Sequence, residues 1–97
     1  MFNIAKADGR LVVTFPERMD TLACEQHAHR IDEEVSQAQE PVTFDLAGVI
    51  YVSSSFLRIC LRTAQAAGQD RFAMANVAPE VRKVFKIAGL ESCLAIR

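Results

Sequence analysis

The chain predicts an α/β domain in which a mixed four-stranded sheet carries about three to four helices, mainly on one face. Three observations carry that expectation. Segments with the two-residue alternation or apolar run of a strand take turns with segments whose apolar positions recur every three to four residues, in the order β-β-α-β-α-β-α. The first two strands are separated by two residues and so pair as an antiparallel hairpin. The later ones are separated by helices, which calls for parallel crossovers. Finally, 97 residues with 51% apolar content suffice for one core and leave no room for a second, so residues 1–97 are expected to form a single domain.

Taken in order, Phe2 to Ala7 alternates apolar and polar residues and predicts a half-buried strand. Asp8-Gly9 supplies the positive φ that a two-residue hairpin turn demands, and Arg10 to Phe15 is the returning strand, ended by Pro16. From Asp20 or Thr21 to about Gln39, Cys24, Ala28, Ile31, Val35 and Ala38 trace one helical face, opposite an acidic one. Pro41 introduces a third strand, Val42 to Leu46, whose apolar and β-branched residues suit a central position covered on both faces. A second helix follows the serines at 53–55, with Leu57, Cys60, Leu61, Ala64 and Ala67 expected inward and Gly68 as its C-terminal cap. Arg71 to Ala75 is the fourth strand. Pro79 sits at the first position of a third helix, with Val81, Val84, Phe85 and Ala88 as its stripe and Gly89 as its stop. The tail from Leu90 to Ile96 fits a small helix or an edge strand equally well.

Several function classes are excluded by what the sequence holds. Lys plus Arg at 11 against Asp plus Glu at 12 leaves no global field to attract nucleic acid or an acidic membrane, so no direct nucleic-acid partner is expected. No apolar run approaches the roughly 20 residues that a bilayer needs, and the start lacks the layout of a signal peptide, so no membrane insertion and a cytoplasmic location are expected. Cys24, Cys60 and Cys93 are far apart and odd in number, without zinc-site spacing. Cys24 and Cys60 fall on apolar stripes and are expected as reduced core thiols. His27 and His29, two apart, cannot share a helical face as a metal pair and are expected as solvated surface residues, so no metal or cofactor is implied. There is no phosphate-cradling glycine loop and no nucleophile elbow, and nothing places a histidine against the serines as base. No catalytic residue and no enzymatic activity are expected.

The informative stretch is Val42 to Leu61. Ser53-Ser54-Ser55 opens an apolar helix, where short hydroxyls cap the unpaired amides of the first turn, and where the helix dipole also favours an anion. The pattern D-L-x-G-V-x-Y-V-S-S-S-x-L-R, from Asp45 to Arg58, resembles the signature of the STAS domain, the fold of bacterial anti-sigma factor antagonists. Ala78 to Arg82 with Gly89-Leu90 resembles that family's last helix, and Met19-Asp20 resembles the Leu-Asp at the entrance of its first. The resemblance spans nearly the whole chain and implies a STAS-like fold.

It also implies a function by binding. A partner serine kinase that doubles as the anti-sigma factor would modify a serine of this loop, a serine phosphatase would restore it, and phosphorylation would be the off switch. Ser55 aligns with the phosphoacceptor, with Ser54 as second choice, and Asp20, Ser53, Ser54, Ser55, Phe56 and Arg58 make up the implied partner-binding set. Two positions depart from the family pattern. Phe56 stands where many members have glycine, and Ser53 where members often have aspartate. Phe56 lies at the margin of the expected inward stripe, so it is expected to be a partly exposed ring that anchors a partner. The runner-up reading is a STAS-like subunit of a signalling or lipid-transport complex, docking through the serine loop without phosphorylation. A small-ligand or nucleotide-binding domain ranks third, since no phosphate loop is present.

Overall fold

The computed structural model describes residues 1–96, with the backbone alone for Gln69. The elements are β1 (Asn3–Ala7), β2 (Arg10–Thr14), β3 (Arg18–Met19), α1 (Thr21–Gln37), β4 (Val42–Asp45), β5 (Tyr51–Val52), α2 (Ser54–Ala67), a 3-10 turn (Gln69–Arg71), β6 (Phe72–Ala75) and α3 (Pro79–Ile87). The main sheet has the order β1-β2-β4-β6. The hairpin β1–β2 is antiparallel, and β4 is parallel to both β2 and β6. Asp8 and Gly9 both have positive φ, 53° and 75°, as the tight hairpin requires. The predicted α/β fold and mixed four-stranded sheet are therefore present.

Register decides which side of the sheet is core. Leu11, Val42 and Phe72 lie abreast across β2, β4 and β6, as do Val13, Phe44 and Met74, and all six are buried. The residues between them face the other way. Thr43 and Asp45 of the central strand are half-buried, as are Val12 and Thr14 beside them, so β4 is not covered on both faces as its composition suggested. The β-branched run Val42-Thr43 satisfies strand geometry without implying a second helical layer.

On the core side, α1 contributes Cys24, Ile31 and Val35, and α3 contributes Val81 and Phe85. In α2 the inward face is Phe56, Ile59, Cys60, Thr63 and Ala64, while Leu57, Leu61 and Ala67 are only half-buried. The expected stripe is thus rotated toward Phe56. Apolar residues at 56, 57, 59, 60 and 61 form a band wider than one contact face, and packing against the sheet selects its Phe56–Ile59 side. Four rings fill the space beneath α2. Phe44 stands edge-on to Phe15 and to Phe72, each with centroids 5.0 Å apart, and Phe56 meets Phe15 edge-on at 5.0 Å. In α3, Val84 and Ala88 of the expected stripe lie exposed. The tail runs as turns with Leu94 and Ile96 buried and ends in a parallel bridge from Ile96 to Met74.

Candidate functional site

Two very short strands that no periodicity announces, β3 and β5, pair in parallel, Arg18 with Tyr51 and Met19 with Val52. They tie the segment ahead of α1 to the segment ahead of α2, so the two helix starts emerge side by side. Three main-chain bonds reinforce the tie, from Ile50 N–H (2.8 Å) and Tyr51 N–H (3.3 Å) to the Glu17 carbonyl and from Ser53 N–H to the Met19 carbonyl (3.0 Å). On the far side of the loop, the Asp45 carboxylate accepts from Ala47 N–H and from the Asn76 side chain, both at 3.0 Å, holding the turn through Gly48.

Each serine of the triplet has a different place. Ser53 is the cap of α2. Its Oγ accepts from Phe56 N–H at 3.4 Å and donates to the Met19 carbonyl at 2.9 Å. The Cys24 thiol lies 3.7 Å from the same oxygen, and burial pushes its pKa up. Ser54 is exposed. Ser55 is half-buried and lines a groove of about 190 Å³ between α1 and α2, with Glu25 on the α1 wall and Arg58 and Arg62 on its own. Asp20 caps α1, its Oδ1 accepting from Ala23 N–H at 2.9 Å, so its carboxylate is engaged in holding the helix entrance.

Phe56 is the residue of the expected set that the structure removes from the surface. Its ring is fully buried, 0% exposed, between Phe15 and Phe44. The physical reason lies in the cap. With Ser53 at the N-cap, Phe56 is the third helical residue, and its N–H is the one the cap holds, which turns its side chain toward the sheet. Burying a ring of this size contributes about 1.5–3 kcal/mol.

The exposed apolar residues near the serines are instead Ile50 (62%) and Tyr51 (42%), the latter beneath the Arg18 guanidinium at 4.6 Å from the ring centroid. Sequence reasoning passed over them as loop. Their signal was two large apolar side chains between the Gly48 turn and the serines, where no core stripe calls for them.

Neither histidine bears on the serines. His27 is half-buried rather than solvated. It stacks on Phe2 with centroids 4.1 Å apart, and burial and then the Arg30 charge lower its pKa. It belongs to a separate cleft of about 760 Å³ lined also by Pro16, Arg18 and Arg30, which contains none of the three serines. His29 is exposed, 3.4 Å from Glu33. Among the described residues no group of three or more His, Cys, Asp or Glu is placed to hold a metal ion, and no helix is long and apolar enough to cross a membrane. All three cysteines are free. Cys24 and Cys60 are buried as expected, and Cys93 is exposed.

A mixed sheet and its short accessory pair thus present a serine-capped helix start beside the start of the first helix. The family model described as "Mlab, STAS domain" matches residues 2–96, and the chain belongs to the STAS domain family. Among curated proteins, BtrV of Bordetella bronchiseptica, described as an anti-sigma factor antagonist, is 28% identical over 93 residues, covering 94% of this chain and 80% of that one. Among solved structures, an anti-sigma factor antagonist (STAS) domain protein from Planctomyces limnophilus superimposes with a TM-score of 0.86 at 24% identity, covering 99% of this chain and 87% of the other. The Bacillus cell fate determinant SpoIIAA in its phosphorylated form gives 0.71 at 19% identity, covering 100% and 91%.

Proposed function

We propose that this domain is an anti-sigma factor antagonist whose binding to an anti-sigma factor that is also a serine kinase is switched by phosphorylation of Ser55. The γ-phosphoryl group of ATP passes to Ser55 Oγ, the hydroxyl proton is lost and ADP leaves, and a serine phosphatase later hydrolyses the ester. The observation that carries the reading is the placement of the triplet. Ser53 is committed to capping and to Met19, whereas Ser55 is half-buried at the rim of the α1–α2 groove, beside an exposed apolar loop at Ile50 and Tyr51. A phosphate brings about 1.5 to 2 negative charges, and at such a rim it opposes a docked partner by desolvation and repulsion. The phosphorylated form of SpoIIAA, a protein of the same fold, supports the reading by analogy. Incubation with a kinase that binds the protein, and ATP, is expected to add one phosphate at Ser55, read by mass spectrometry. No mass shift with a bound, active kinase would overturn the switch.

A second reading has one observation in its favour. Ile50 and Tyr51 offer an apolar contact that needs no phosphate, as in a docking subunit of a signalling or lipid-transport complex. Binding that persists unchanged after Ser55 is modified would select it.

A further inference from the structure

We infer that a phosphoryl group on Ser55 is held within the domain itself, clamped by Arg58 and Arg62 in the α1–α2 groove, with Arg62 giving up Asp32 to take the phosphate. The inference rests on the phosphorylation reading above and adds what the phosphate does once attached. Ser55, Arg58 and Arg62 are spaced three and then four residues apart on α2, so they form one stripe along the helix, and all three line the same groove. Arg58 forms no ion pair among the described residues. Arg62 is paired with Asp32 of α1 at 2.6 Å, but both side chains are more than half exposed, and an exposed pair of that kind is readily exchanged for a doubly charged acceptor.

The groups facing Ser55 decide the sign. From α1 come the Glu25 carboxylate and the buried, protonated Cys24 thiol. From α2 come the two guanidiniums. The two guanidiniums face two carboxylates, Glu25 and the Asp32 that pairs with Arg62. A phosphate dianion carries more charge than either carboxylate, however, and Arg58 has no ion pair among the described residues to give up. The planar fork of arginine also matches phosphate oxygens in a way a lysine does not. The clamp also changes the rim seen by a partner. Arg58 and Arg62 turn to the phosphate and Asp32 is left without its partner, so the rim's charges are redistributed while the net change stays that of the phosphate.

The test installs phosphoserine at position 55 of the full chain during translation, with no kinase involved, and follows its ³¹P resonance with pH. An ordinary phosphoserine loses its second proton near about pH 6. In the wild-type background that pKa is expected about one unit lower than in the Arg58→Ala/Arg62→Ala double variant, because the nearby cations favour the dianion. Both arginines are exposed, so the double variant keeps the fold, which its thermal melt verifies. Identical titrations in the two proteins would overturn the clamp. A kinase that never modifies Ser55 would instead overturn the switch, and it would leave this titration readable.

Discussion

Phe56 and Tyr51 are aromatic residues on either side of the serine triplet, and they have opposite fates. Phe56 is 0% exposed among Phe15 and Phe44, while Tyr51 is 42% exposed under Arg18. The difference comes from backbone geometry rather than from hydrophobicity. Tyr51 lies on a two-residue strand whose partner, Arg18, is the outward member of its pair, whereas the inward member joins Met19 to Val52, both buried. Phe56 is carried into the core by the first turn of α2, whose start is fixed by Ser53. Within six residues, the serine loop changes from a surface that a partner can touch to a core that holds the surface in place.

The largest effect that tests this contrast is Phe56→Ala. Removing a ring from the centre of the aromatic cluster should cost about 3–5 kcal/mol, as large-to-small core changes do. For a domain of this size that lowers the melting temperature by well over ten degrees, measurable by thermal denaturation followed by circular dichroism. A melt within a few degrees of wild type would return Phe56 to the surface role that its sequence position suggested.

Tyr51→Ala is the complementary change. Its ring is half in solvent, so the melt should move by no more than about two degrees, since substitutions at such positions usually fall within about 0.5 kcal/mol. Affinity for the partner should nonetheless fall by about tenfold or more, or ~1.4 kcal/mol, as expected for a Tyr anchor. If Tyr51→Ala binds as wild type does, the apolar loop is not the contact surface.

Ser53→Ala sharpens the comparison at its pivot. It removes the cap of α2 and the 2.9 Å bond to the Met19 carbonyl together, which should cost about 1 kcal/mol by chemical denaturation. The smaller loss, relative to Phe56→Ala, separates the residue that sets the turn from the ring that the turn buries.

The legible parts of this fold are those with local physical signals. Asp8-Gly9, Pro79, Gly68 and the α1 stripe through Cys24, Ile31 and Val35 each determine their own backbone or face, and each stands where the sequence placed it. The pairs Arg18-Met19 and Tyr51-Val52 were not legible, because two residues carry no period and their pairing is visible only across thirty-three positions of chain. The face of α2 was misjudged for a related reason. A helix apolar around more than half its circumference does not state which side meets the sheet, and only the ring cluster of Phe15, Phe44 and Phe72 decides it. The site was legible as a serine-capped helix start. The exposure of Ile50 and Tyr51 ahead of it was not, since exposure in a loop depends on what packs beside it.

The central claim is that Ser55 controls the interface, and it is tested most directly by the affinity of the kinase-type partner for wild type, Ser55→Ala and Ser55→Asp, measured by calorimetry. Alanine should leave binding intact. Aspartate, a partial imitation of phosphate, should weaken it about tenfold, or ~1.4 kcal/mol, with an unchanged melt. Equal affinities for all three proteins would contradict the account.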